Sequence, residues 1–233
     1  MTVERNNSCK QTKGGIDKSM NSLKNDANEI IVRNSRVEDA DRIAEIARLT
    51  FDPPEIAFTK EHYLSEINIF PKGQVCVEYK GEIIGSCSSL IVNMDDYPKQ
   101  HSLSQIADDG YIRNHNPNGK NLYGIDVIVH PDYQGMKVGK KLYEARRQLC
   151  QELNLESIVF GGRMPNFHQY AERMTAEEYV EKVIKEELYD PVLTFQLKRG
   201  FSFKYLMPGY LPTDPASMYT ATFMEWKNKG YKS

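Results

Sequence analysis

Residues 127–142, Val-Ile-Val-His-Pro-Asp-Tyr-Gln-Gly-Met-Lys-Val-Gly-Lys-Lys-Leu, hold the most legible chemistry in this chain. A β-rich apolar run from Leu122 to Val129 stops at Pro131, and a glycine-containing loop follows. Apolar residues at Val138, Leu142, Ala145, Leu149 and Leu153 then recur at helical spacing. Strand, glycine loop and helix start together make a phosphate cradle. The first helical N–H groups have no intrahelical partner, and the helix dipole adds partial positive charge where they point. The expected chemistry is therefore binding of a phosphate-bearing cofactor.

The elements that must position this loop follow from periodicity and punctuation. Ile30-Ile31-Val32 reads as a strand, and Ser35-Arg-Val-Glu38 as a capping box opening a helix with Ala40, Ile43, Ala44 and Ala47 on one face. A second helix is expected over residues 60–67. Runs 75–79 and 82–92 flank Lys80-Gly81, a hairpin signature. Residues 94–121 read as a polar, turn-rich connection, long enough to be functional. Its acidic residues Asp95, Asp96, Asp108 and Asp109 would suit a cationic acceptor or, equally, be a solvated loop. After the cradle, residues 157–161 form a short strand, and Thr175-Ala-Glu-Glu178 caps a further helix. Asp190-Pro191 opens another helix, which ends at Gly200, and strands over 201–206 and 217–226 close the chain. The predicted order is β-α-α-β-β-β-α-β-α-α-β-β, one mixed α/β domain over residues 30–233 behind a flexible polar tail, residues 1–29.

Bulk properties exclude several classes. The 233 residues carry a net charge of −2, so no basic field draws the chain to nucleic acid or an anionic membrane. No apolar run reaches membrane-spanning length, and a cytoplasmic location is the expectation. The four cysteines (Cys9, Cys76, Cys87 and Cys150) show no metal-ligand spacing. They read as reduced thiols, with Cys76 and Cys87 able to share one face of the hairpin, and no metal is expected.

Three phosphate-loop templates compete. A P-loop needs GxxxxGK[ST], which the segment from Gly135 to Gly139 does not supply, and no GxGxxG set stands early in a βαβ unit. The third template is Val-x-Pro followed by Gln/Arg-x-x-Gly-x-Gly/Ala. Val129-His-Pro131, Tyr133-Gln134-Gly135 and Gly139 match it, and Gly200-Phe201 follows an amphipathic helix. In these features the chain resembles the GNAT N-acetyltransferases. Leu122-Tyr-Gly-Ile-Asp126, Leu142-Tyr-Glu-Ala-Arg146, Gly161-Gly-Arg163-Met-Pro165, Glu178-Tyr-Val-Glu181 and Tyr189-Asp-Pro191 resemble, more narrowly, the acetyltransferase domain fused to nitrilase-type carbon–nitrogen hydrolases.

The resemblance implies the GNAT fold, α/β: a mixed central sheet of six or seven strands flanked by helices, with the fourth and fifth strands, residues 122–129 and 157–161, splayed for an acyl-CoA. It implies acetyl-CoA as cosubstrate and direct attack by an amine acceptor. Backbone groups of Val127 and Val129 would hold the pantetheine arm and thioester carbonyl. The N–H groups of Gln134, Gly135, Met136, Lys137, Val138 and Gly139, continuing to Lys140, would take the pyrophosphate, and Asn166 would add a contact. Lys137 stands where the family expects glycine, so its side chain must turn outward or onto a phosphate. Gln196 stands where many members have a tyrosine acid; its amide can donate a hydrogen bond to sulfur but not a proton. Tyr170 and Tyr189 are the substitutes for the acid. Asp126 is either a rim carboxylate acting as base or a structural partner of Arg163. His130 and His168 read as solvated histidines. A nitrilase-like protein and a second copy of this chain are the protein partners considered. Lys137 and Gln196 also allow an alternative, a non-catalytic acyl-CoA-binding or regulatory module.

Overall fold

The ladder between the third and fourth strands organises the molecule, because one slip in its register opens the sheet. The computed structural model describes residues 30–232, so the tail and Cys9 lie outside the described residues. The elements run β1 (Ile30–Asn34), α1 (Ala40–Thr50), α2 (Lys60–Ile69), β2 (Val75–Tyr79), β3 (Glu82–Val92), α3 (Leu103–Ala107), β4 (Asn121–Val129) and α4 (Val138–Glu152). They continue with β5 (Ser157–Gly162), α5 (Ala176–Ile184), α6 (Leu193–Lys198), β6 (Ser202–Pro208) and β7 (Thr220–Lys227). Seven strands form one mixed sheet in the order β1-β2-β3-β4-β5-β7-β6. No helix among the described residues is long and apolar enough to cross a membrane.

Every neighbouring pair is antiparallel except β4 and β5. Those two run parallel and pair only over Asn121–Tyr123 with Ser157–Val159. Beyond that point β5 stays with β7, through Phe160↔Met224 to Gly162↔Thr222, while β4 stays with β3. The sheet therefore divides into a V after Tyr123.

Helices cover both faces. Ile43, Ile46, Tyr63 and Ile67 of α1 and α2 pack on Cys76, Ile83 and Ile128. On the other face, Val138 and Leu142 of α4 pack on Val75, Val77, Ile84 and Cys87. Cys76 and Cys87 thus belong to opposite cores rather than one hairpin face. Both are buried free thiols, and burial pushes each up to about 11, where the reactive thiolate is scarce.

The register slip lies in β4. Ser88 opposes Asp126, but Ser89 opposes Gly124, so Ile125 is an extra residue. Arg146 of α4 reaches into this bulge. Its Nη2 donates to the carbonyls of Ser88 (2.9 Å) and Asp126 (2.8 Å), and its Nε to Ser89 Oγ (3.0 Å). Gly124 makes room for it: a Cβ there would lie 2.8 Å from Arg146 Nη1.

Two local expectations change. The Ser35 capping box does not form; a 3-10 turn over Val37–Asp39 precedes α1, because the Asp39 carboxylate accepts the Arg36 N–H at 2.7 Å and pairs with Arg33 at 2.7 Å. Residues 94–121 are ordered by α3, by its Ser102–Gln105 capping box, and by buried His101, whose Nε2 lies 3.1 Å from the Tyr123 hydroxyl. Arg146→Met would leave the bulge carbonyls without donors and remove the charge facing Asp126. The expected cost is about 3 kcal/mol, read by urea unfolding; a loss under about 0.5 kcal/mol would contradict this role.

Candidate functional site

The V between β4 and β5 is a cleft of about 550 Å³. Gly124 to Val127 form one wall and Phe160 and Gly161 the other, with Gln134, Tyr143, Arg146 and Gln196 towards α4 and α6. Thr50, Asp52, Arg163 and His168 close the opposite side. The ladder fixes which backbone groups face this space. The His130 N–H donates to the Ile84 carbonyl at 2.9 Å, so the directly opposed pairs at 130, 128 and 126 turn their backbone groups towards β3. Val127 and Val129 turn theirs away, into the gap. One of these groups is already used: the Val129 carbonyl accepts from Thr50 Oγ1 at 3.2 Å.

The cradle stands at the head of the cleft. Gly135 has φ +86° and open space around it. Lys137, the N-cap of α4, has φ +61° and ψ +21°, the left-handed conformation that favours glycine. This explains physically why a glycine is expected there, and the lysine keeps the same backbone path at a cost of roughly 1 kcal/mol. Its side chain is exposed and has no ion pair among the described residues. The N–H groups of Gly135, Lys137, Val138, Gly139 and Lys140 carry no hydrogen bond among the described residues. Lys140 itself lies 3.6 Å from Glu144. Val138 is buried and Met136 packs beside it, so those two residues anchor the loop through their side chains.

Other expected residues sit elsewhere. Asp126 belongs to the cleft wall, but its carboxylate is engaged on the α2 side of the sheet. Its Oδ2 accepts from the Tyr63 hydroxyl (2.9 Å) and its Oδ1 from the Ser88 N–H (3.0 Å), beneath the sheet. Burial pushes its carboxyl up against the pull of Tyr63 and Arg146; the neighbouring Glu66 goes well above its usual range through burial and the Asp126 charge. Arg163 pairs instead with Asp214, Nη2 to Oδ1 at 2.6 Å. Tyr170 packs on Tyr179, ring centroids 5.4 Å apart, and Tyr189 is exposed; neither lines the cleft. Asn166 is drawn into a local hub: its N–H donates to Asp190 and its amide to the Tyr189 carbonyl. Asp190 also accepts the N–H groups of Val192 and Leu193, the cap expected at the start of α6. None of Asp95, Asp96, Asp108 and Asp109 lines the cleft; Asp108 pairs with Arg113, and Asp109 accepts from Ser104.

Gln196 does line the cleft; it is buried, and its Oε1 has no hydrogen-bond partner. Two residues given no catalytic role in the sequence join it. Tyr143 is clamped edge-on by Phe160, Phe195 and Phe201, at centroid distances of 6.1, 5.2 and 5.5 Å. Burial raises its pKa, while Arg146 and Gln196 beside it pull the other way. His168 holds Nδ1 2.9 Å from the Pro165 carbonyl and 3.3 Å from that of Ala216. A carbonyl only accepts, so Nδ1 carries the proton and Nε2 the free lone pair. The signal for Tyr143 was its place one turn after Gly139, on the same helix as the cradle; His168 had no comparable signal.

Known proteins share this architecture. The family model of the acetyltransferase (GNAT) family matches residues 40–174, and the chain belongs to that family. It is 52% identical over 203 residues to "Probable hydrolase YhcX" of Bacillus subtilis (strain 168), covering 87% of this chain and 39% of that protein. The chain thus spans about two fifths of the length of that relative. It is 35% identical over 206 residues to the same organism's "Uncharacterized N-acetyltransferase YkwB", covering 87% of this chain and 91% of the relative. Among solved structures, the loading GNATL domain of CurA from Lyngbya majuscula shares the fold with a TM-score of 0.77 at 22% identity, over 86% of this chain and 98% of that one. The family is the acetyltransferase (GNAT) family, and the fold is the one these structures share.

The cradle has a direct test. A Cβ at Gly139 would meet only Phe195 Cζ at 3.5 Å, so Gly139→Asp fits the fold but sets a carboxylate among the open N–H groups. Acetyl-CoA binding by calorimetry should be lost with little change in Tm; unchanged affinity would refute the cradle. Lys137→Gly should preserve or strengthen binding and add roughly 1 kcal/mol of stability by relieving the left-handed lysine. A loss of affinity would instead place its ammonium on a phosphate.

Proposed function

We propose that this protein acetylates a primary amine by direct transfer from acetyl-CoA in the cleft between β4 and β5. The anchored tautomer of His168 carries the reading: a histidine with its free Nε2 on the wall of an acyl-CoA cleft is equipped to accept a proton there. The amine nitrogen attacks the thioester carbon, its proton passes to His168, and the C–S bond breaks. Tyr143 donates its hydroxyl proton to the departing thiolate, with Gln196 supporting the sulfur by a hydrogen bond. A buried phenol keeps its proton at neutral pH, which suits an acid. Val127 supplies the backbone N–H for the thioester oxygen. Asp52, an exposed carboxylate on the acceptor side, favours an acceptor that arrives as an ammonium ion.

CoA release from acetyl-CoA, followed with a thiol reagent across a panel of primary amines, tests the proposal. Turnover dependent on an amine is expected, and His168→Ala should reduce it at least about 100-fold with acetyl-CoA affinity unchanged. Acetyl-CoA binding without transfer to any amine would favour a non-catalytic acyl-CoA-binding module. A His168→Ala variant as active as the parent would remove the histidine from the mechanism.

A further inference from the structure

One short turn, residues 214–217, sets three groups beside the acceptor side of the cleft. The Asp214 carboxylate accepts from Arg163 Nε at 2.8 Å and from Nη2 at 2.6 Å. The Ala216 carbonyl lies 3.3 Å from His168 Nδ1, and Ser217 Oγ accepts the Met164 N–H at 2.9 Å. Cation and histidine are therefore placed by the same piece of chain, and both line the cleft. Arg163 is held further: Nη2 also donates to the Asp52 carbonyl at 3.3 Å, and the guanidinium stands 5.7 Å from the Phe51 ring centre. Asp214 is buried, whereas the Arg163 side chain keeps 20% of its surface. The bonds to Asp214 and Asp52 spend Nε and Nη2. Nη1 makes no hydrogen bond among the described residues and keeps contact with solvent. A guanidinium locked along one edge presents its remaining N–H groups in a fixed direction. Asp214 neutralises its net charge, so Arg163 offers directed donors rather than a long-range field. Next to it the exposed Asp52 carboxylate has no ion pair among the described residues. A ligand that covers this wall without an acceptor for Nη1 would strip its water and leave those donors unpaired.

We propose that the acceptor is a free amino acid, its carboxylate taken by Arg163 Nη1 and its amine set between Asp52 and His168. The assignment rests on the amine-transfer reading of the cleft. A carboxylate accepts charge-assisted bonds from Nη1 without disturbing Asp214. A peptide N-terminus would bring only an uncharged amide carbonyl to the same donors, a weaker acceptor. The amine arrives as an ammonium ion beside Asp52 and gives one proton to solvent. Its nitrogen then bonds to the thioester carbon, the C–S bond breaks, a second nitrogen proton passes to His168 Nε2, and the thiolate takes the Tyr143 proton. His168 returns its proton to solvent and Tyr143 regains one, leaving an N-acetyl amino acid and CoA.

Initial rates of CoA release by the full chain test this, with acetyl-CoA and the standard amino acids, their carboxamides, the matching decarboxylated amines and short peptides. The best amino acid should exceed its carboxamide and its decarboxylated amine in kcat/KM by at least about tenfold. The amine of a carboxamide is the less basic and so the more available at neutral pH, so basicity works against that preference. Arg163→Lys still pairs with Asp214 but has no separate edge to spare. It should raise KM for the amino acid about tenfold and abolish the preference, with acetyl-CoA affinity by calorimetry unchanged. If that variant misfolds, the substrate ratios of the parent still decide the class. Equal kcat/KM for acid and carboxamide, or turnover of amides and peptides alone, would overturn the amino-acid assignment while leaving amine transfer intact. A preference that survives Arg163→Lys would overturn the role of Arg163. Acetyl-CoA binding without transfer to any amine would overturn the amine-transfer reading itself.

Discussion

The rest of the structure depends on one buried guanidinium. Arg146 enters the β4 bulge and satisfies the carbonyls of Ser88 and Asp126, while the Asp126 carboxylate takes the Ser88 N–H. Side chains thus take over where the ladder has slipped, and the strand can bend without leaving polar groups orphaned. Bending separates β4 from β5 after Tyr123. Because Gly124 alone leaves space for the guanidinium, strand sequence and helix sequence are matched at this point. The buried carboxylates beneath, Asp126 and Glu66, belong to the same support.

The cleft has two chemically different ends. Towards α4 the open N–H groups from Gly135 to Lys140, the helix dipole and nearby lysines favour a polyanion. Towards the α1 end, Thr50, Asp52 and His168 form a polar wall, with Arg163 already neutralised by Asp214. Burial pushes the Asp214 carboxyl up, but Arg163 and Ser217 outweigh it, so the group lies below its usual range and the pair stays charged. A ligand that is anionic at one end and reactive at the other fits between them.

The fold was legible because its signals are local. The Lys80-Gly81 turn takes φ of 54° and 81°, the Thr175–Glu178 box closes with both expected bonds, and the order of the longer elements follows periodicity. The GNAT loop was legible for the same reason: a positive φ at Gly135 and an open helix start are written in a few adjacent residues. The side chains proposed for the chemistry were not. Asp126 alternates onto the face covered by α2, where Tyr63, 63 residues earlier in the chain, claims it. His168 is oriented only when residues 215–217 fold beside it and offer the Ala216 carbonyl. Tyr143 needed the meeting of α4, β5 and α6. Contacts of such sequence separation leave no trace in spacing. The five-residue α3 escaped for a simpler reason, being too short to show a period.

The central claim is that the splayed strands and the start of α4 together hold an acyl-CoA. A thermal shift series with acetyl-CoA, CoA and ATP measures it most directly, since a ligand that binds only the folded state raises Tm in proportion to its affinity. The account predicts a rise with both CoA compounds and none with ATP. A rise with ATP alone, or no rise with acetyl-CoA, would contradict it.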